Sequence, residues 1–148
     1  MAEQTKNTPK TTPPLIAMAD KKTLVEVSDR TWEEWVERGE RPVVVMFYSE
    51  TCPFCKQIEP FFRQFAGEFG ADLLFARLNV SQNPWTVERY GVRQTPTFKF
   101  FCRGRPAQEI VGAAFPALLR KNIEGFLEHG EACVRSSREI DYEITGYG

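Results

Sequence analysis

Apolar residues change their spacing at intervals along this chain, and each spacing predicts an element. Lys22 to Val27 (KTLVEV) alternates apolar with polar and is rich in β-branched residues, which predicts a short strand. In SDRTWEEWVERG, Ser28, Asp29 or Thr31 is the candidate N-cap of a helix. Trp32, Trp35 and Val36 would form its apolar face, and Gly39 would stop it. Arg41 to Tyr48 (RPVVVMFY) is an unbroken apolar run, the mark of a strand covered on both faces. A helix starting at Cys52 then carries Ile58, Phe61, Phe62, Phe65 and Phe69 as a core-facing stripe. Pro60 inside it removes a backbone hydrogen bond and predicts a kink, and Gly70 ends it.

Ala71 to Val80 (ADLLFARLNV) reads as a third strand. Asn83-Pro84 is an N-cap followed by proline at the first helical position, and that short helix stops at Gly91. Thr95 to Cys102 and Ala107 to Gly112 flank CRGRP and predict a hairpin. A last helix opens at Pro116, buries Leu119, Ile123, Phe126 and Leu127, and ends at Gly130. The order β-α-β-α-β-α-β-β-α predicts an α/β fold: a central mixed β-sheet with helices on both faces. This domain occupies residues 22–130. Residues 1–21, rich in Thr, Pro, Lys and Asn without periodicity, read as a disordered tail. Residues 131–148 form a C-terminal extension in which Ile140, Tyr142 and Ile144 alternate with polar residues. An extra edge strand and an unstructured polar tail both suit that pattern.

Composition narrows the function. A chain of 148 residues supports one domain with a real core. A net charge of −1 carries no basic surface for nucleic acid or polybasic run for a membrane. No stretch approaches the roughly 20 apolar residues that a span requires, and Leu15 to Ala19 is too short for a signal-peptide core. The cytoplasm is the expected compartment. His129 is the only histidine, which removes His–Cys nucleophile pairs beside Cys52 and every two-histidine zinc site.

Four cysteines, Cys52, Cys55, Cys102 and Cys133, are too few for a disulfide-stapled fold. The pair Cys52–Cys55 falls where the buried strand gives way to a helix, the sheet edge at which open α/β folds place their sites. With Pro53 at the first helical position, the Cys52 sulfur can accept hydrogen bonds from the free amides of the first turn. That environment favours thiolate, the nucleophile of disulfide exchange. Cys55, one turn on, is placed to resolve the mixed disulfide. Two other readings are a buried packing pair and half of a metal site, the second lacking a further CxxC among Cys102 and Cys133. No metal or cofactor is expected.

VVVMFYSETCPFCKQIEP, then RLNVSQNP, YGVRQTPTF and VGA together resemble the thioredoxin family over about Leu24 to His129. The resemblance implies a thioredoxin fold with Cys52 as exposed nucleophile, Cys55 as buried resolving thiol, and Pro96 as the family's cis-proline. It also implies that Thr95 offers its backbone to an extended substrate, and that Pro53, Phe54, Gly112 and Ala113 border it. The partners implied are protein disulfides and an upstream disulfide reductase, with no nucleic acid or membrane and the protein as a monomer. Thiol–disulfide exchange as a cytoplasmic reductant is the function expected. A disulfide oxidase or isomerase, a glutathione-linked glutaredoxin-like enzyme and a non-catalytic redox-sensing module are the alternatives.

Departures from the family are informative. Met46 stands where members usually have a buried acid, Tyr48 and Thr51 where tryptophans are usual, and Pro-Phe replaces Gly-Pro between the cysteines. Residues 52, 55 and 59 share a helical face, so Glu59 is a candidate proton acceptor for Cys55, paired with Arg77; the alternative is a surface pair with Arg63. Phe54, Trp85 and Phe115 are expected to rim a docking surface. Cys102 and Cys133, with His129 nearby, are expected as two unpaired thiols, a second disulfide or weak metal site being the alternatives.

Overall fold

The apolar run after Arg41 becomes the middle of a five-stranded sheet, and the remaining elements distribute around it. The structure is a computed structural model that describes residues 23–112 and 114–128. Chain order is β1 (Leu24–Val27), α1 (Glu33–Glu37, a π-type turn), β2 (Val43–Tyr48), α2 (Pro53–Phe69), β3 (Leu74–Asn79), α3 (Pro84–Tyr90), β4 (Thr97–Cys102), β5 (Arg105–Val111) and α4 (Pro116–Glu128). Sheet order is β1-β3-β2-β4-β5. β3 lies parallel to β1 and β2, whereas β4 runs antiparallel to β2 and β5.

Period-two geometry sends alternate residues of β2 to opposite faces. Val44, Met46 and Tyr48 pack with Phe62, Phe65, Leu119, Ile123 and Phe126 of α2 and α4. Val43, Val45 and Phe47 pack with Trp32 and Val36 on the other side. Both faces are covered, which is why the run at 43–48 is apolar at every position. The Trp32 ring lies 5.3 Å from those of Tyr90 and Phe101, and its indole N–H donates to Tyr90 Oη at 3.1 Å.

Three local expectations are corrected. The helix expected between an N-cap at Ser28, Asp29 or Thr31 and a stop at Gly39 is the short α1, which none of the three caps with its side chain; Ser28 and Thr31 close a turn on each other, Ser28 N–H donating to Thr31 Oγ1 at 2.9 Å. Asp29 instead reaches across to α3, where Oδ1 accepts Thr86 N–H at 2.9 Å and Oδ2 accepts Trp85 N–H at 3.2 Å. It thereby does the capping expected of Asn83, whose Oδ1 accepts Asp29 N–H at 2.7 Å. Phe61 is 43% exposed rather than core, since Phe62 and Phe65 fill the sheet-facing stripe.

Cys102, 5% exposed at the end of β4, is disulfide-bonded, which overturns the expectation of an unpaired thiol there. Cys133, His129, Ala113, the tail over 1–21 and the edge strand suggested for 140–144 lie outside the described residues.

Candidate active site

β2 delivers the chain to the C-terminal edge of the sheet at Tyr48, and the turn Ser49–Glu50–Thr51 bends it into α2. Cys52 is the N-cap, in extended geometry at φ −92° and ψ 110°, with Pro53 at the start of the helix. Its Sγ accepts the Cys55 amide N–H at 3.1 Å, so a cysteine sulfur does what a serine oxygen usually does at this position. Cys52 and Cys55 are both free thiols, 7% and 2% exposed, so Cys52, expected to be the exposed one, is nearly as buried as its partner.

The two sulfurs differ in acidity. Burial pushes the Cys52 thiol up, but hydrogen bonds from the Cys55 thiol, the Thr95 side chain and the amides of Cys55 and Phe54 outweigh it, leaving Cys52 below an ordinary cysteine. Cys55 is pushed up to about 11, first by burial and then by its bond to Cys52 and the charge there. The Ser49 backbone and the Thr95 side chain only partly offset this rise. One thiol is set to ionise and attack, and the other to stay protonated until it is used.

Thr95 and Pro96 reach the pair from the loop before β4, and the peptide bond between them is cis. Pro96 C=O accepts Gly112 N–H at 2.8 Å, which ties this loop to the end of β5. Gly112 holds φ at 90°, a backbone geometry that favours glycine. Sequence reasoning gave Thr95 a backbone role only. Its side chain acts on both sulfurs, and a hydroxyl directly before Pro96 was the available signal.

Glu59 is engaged elsewhere. Oε1 meets Arg77 Nη1 at 2.9 Å and Oε2 meets Arg63 Nη2 at 2.7 Å, so both pairings weighed from sequence form together. Arg77 also holds Glu26 at 2.6 Å and lies 4.6 Å above the Tyr48 ring, while Tyr48 Oη–H donates to Glu26 at 2.8 Å. Burial first, then Glu26, pushes the Tyr48 phenol up to about 12. The groups that set the Cys55 thiol are Cys52, Ser49 and Thr95, and Glu59 is not among them. Met46, fully buried, lies with both cysteines in one apolar cluster and supplies no acid.

Beside the dithiol, α2 and the start of α4 enclose an apolar groove of about 360 Å³, lined by Phe54, Gln57, Ile58, Phe61, Phe115 and neighbours. Phe54 and Phe115 are 52% and 80% exposed. The structure thus brings together two of the three rim aromatics expected from sequence. Trp85, 78% exposed at the start of α3, does not line the groove. Phe61, expected in the core, does. Among the described residues, no cluster of three or more His, Cys, Asp or Glu side chains could hold a metal ion. No helix among them is long and apolar enough to cross a membrane.

Fold and site define a class: an α/β domain of the thioredoxin fold, with a CxxC dithiol at a helix start facing a cis-proline loop. The family model described as Thioredoxin matches residues 23–125. Thioredoxin M-type, chloroplastic, from Brassica napus is 36% identical over 102 residues, 69% of this chain and 58% of that protein. Thioredoxin from Streptomyces clavuligerus is 38% identical over 96 residues, 65% of this chain and 89% of its own. Among solved structures, a mutant thioredoxin from Halobacterium salinarum NRC-1 matches with a TM-score of 0.66 and 28% identity, over 74% of this chain and 95% of that one. The chain belongs to the thioredoxin family. It spans a little over half the length of the plant relatives.

Proposed function

We propose that this protein is a thiol–disulfide oxidoreductase that reduces protein disulfides through Cys52 and Cys55. The observation that carries the reading is the unequal pair: Cys52 sulfur capping α2 at 3.1 Å from the Cys55 amide, beside a Cys55 thiol pushed up to about 11.

Cys52 thiolate attacks one sulfur of the substrate disulfide, and the substrate's other sulfur leaves as a thiolate that takes a proton. Cys55 then loses its proton and attacks Cys52 Sγ, which releases the second substrate thiol and leaves a Cys52–Cys55 disulfide. Two electrons have passed to the substrate, and an upstream disulfide reductase must return them. We place the activity in a reducing compartment, the cytoplasm in the first instance, and take the protein to act as a monomer.

Substrates dock over the groove next to Cys52. Phe54 and Phe115 offer an apolar surface to residues flanking the substrate's cysteine, while Thr95 presents backbone to an extended segment, with Pro53 and Gly112 at its border. Turnover of insulin disulfides by dithiothreitol tests the whole reading: Cys52→Ser should abolish it, and Cys55→Ser should accumulate a mixed disulfide at Cys52. Phe54→Ala should slow exchange with protein substrates and leave a small aromatic disulfide unaffected. Equal slowing of both would remove the docking role.

A further inference from the structure

Tyr48 stands at the join between β2 and the turn that carries Cys52. Its carbonyl accepts Val80 N–H at 2.8 Å, which ties the end of the strand to the chain leaving β3. The turn beyond it is closed on itself. Thr51 N–H donates to Ser49 Oγ at 3.1 Å, and Cys52 N–H donates back to Ser49 C=O at 3.3 Å. The placement of Ser49 therefore follows from the placement of Tyr48.

The Tyr48 side chain is held from three directions. It is buried in the apolar cluster that contains Cys52, Cys55 and Ile58. The Arg77 guanidinium lies 4.6 Å above its ring. Its O–H donates to Glu26 Oε2 at 2.8 Å, and Glu26 Oε1 in turn accepts from Arg77 Nε at 2.6 Å. Tyr48, Glu26 and Arg77, from β2, β1 and β3, thus form a closed circuit in which each member fixes the other two. Arg77 Nη1 fastens the circuit to Glu59 of α2 at 2.9 Å. The two sulfurs depend on this join unequally. The donors that favour the Cys52 thiolate are the Cys55 thiol, the Thr95 side chain and the amides of Cys55 and Phe54, all from α2 or the cis-proline loop. The backbone donor at the Cys55 sulfur is Ser49, the neighbour of Tyr48. Arg77, Glu26 and Glu59 are not among the groups that set either sulfur, so the circuit reaches the dithiol by placement and not by charge.

We propose that Tyr48, Glu26 and Arg77 are positioning residues for the resolving step, their circuit holding the Ser49 amide against Cys55 Sγ. The inference rests on the exchange proposed above. In that step Cys55 gives its proton to solvent and its thiolate forms the bond to Cys52 Sγ. The substrate sulfur leaves with the electron pair of the broken bond. Met46 brings no acid to this cluster, and stabilising the charge on Cys55 falls to the Ser49 amide and the Thr95 side chain. An amide held in place accepts that charge without having to reorganise, whereas a turn free to drift would lose the contact.

Two readouts on the full chain test this. An activated aromatic disulfide releases one aromatic thiol when Cys52 attacks and a second when Cys55 resolves, so stopped-flow absorbance separates the steps. Tyr48→Phe keeps the ring and removes its bond to Glu26. Glu26→Ala, at an exposed position of β1, breaks the circuit at its carboxylate. Each should leave the first release within about twofold of wild type and slow the second about tenfold, the scale of one hydrogen bond to a charged group. The combined variant should be no slower than the slower single one, because both changes cut the same circuit; effects that multiply would overturn it. The second readout needs no substrate. In reduced protein labelled with carbon-13 at cysteine Cβ, Cys55 should titrate at higher pH in both variants, and Cys52 should titrate as in the wild type. A role confined to stability would lower the melting temperature and leave the Cys55 titration and the ratio of the two releases at wild-type values. That result would overturn the proposal, as would equal slowing of both releases. Absence of the first release in the wild type would strike the exchange itself, with the Cys55 titration still deciding the role of the circuit.

Discussion

In the exchange we propose, Cys55 must lose a proton before it can resolve the mixed disulfide, and the structure gives that step a pH dependence that can be worked out. In the reduced protein the thiol is pushed up to about 11. At pH 7 only about one molecule in 10⁴ then carries the thiolate. Once Cys52 is bonded to substrate, its charge is gone and part of the rise goes with it. Burial, the first cause, stays, so the resolving thiol remains above an ordinary cysteine. From pH 7 to 8 the single-turnover rate should therefore climb nearly tenfold. The assay is stopped-flow release of a chromogenic aromatic thiol from a preformed mixed disulfide on Cys52. Glu59→Gln should leave the slope untouched, because both carboxylate oxygens are held by Arg63 and Arg77. A plateau below pH 8 would refute the reasoning, and a plateau abolished by Glu59→Gln would restore Glu59 as proton acceptor.

Other perturbations have equally definite outcomes. Phe62→Ala removes a fully buried ring whose centroid lies 5.2 Å from that of Phe75 and 5.4 Å from that of Phe98; urea unfolding should show a loss of about 3–5 kcal/mol. Asp29→Ala strips two amides of α3 of their acceptor and should cost about 1 kcal/mol at pH 7. Burial raises the Asp29 carboxyl, but bonds from Thr86 and Trp85 outweigh it and hold the group below its ordinary 3.8. Its stabilisation is therefore present above pH 3.8 and lost as pH falls through the lower folded value, so the gap between variant and wild type should close in acid. Gly104→Ala forces a side chain into a left-handed turn and against Glu37, and thermal melts should show a loss of at least about 1–2 kcal/mol.

Much of the fold was legible because it rests on periodicity. The continuous run at 43–48 declared a strand covered twice, and the changes of spacing after it placed α2, β3, α3, the hairpin and α4 in order. Failures came where a long-range contact replaced a local one. Asp29 reads as a cap for the residues beside it, yet it caps a helix more than fifty positions away, and nothing in its own neighbourhood announces that. Phe61 sits at helical spacing with Phe62 and Phe65, but a helix stripe is wider than the sheet it meets, and its margin opens onto the groove. Of the site, the CxxC spacing and Pro96 could be read directly. The reach of the Thr95 side chain to both sulfurs, and the engagement of Glu59 by two arginines, depend on tertiary geometry that spacing does not encode.

The last strand of the sheet has a consequence for how molecules of this protein meet one another. Among the described residues β5 pairs only with β4 and so forms one border of the sheet, the kind of border along which chains zip together. Here that border is interrupted. Pro106 brings no N–H, and the register slips between Phe100 and Phe101 where the two strands meet. Gln108 and Glu109 are exposed further along. An approaching strand would find a missing donor, a local twist and a charge within a few residues, so the feature that shapes the hairpin also discourages copies of the chain from adding to one another's sheets.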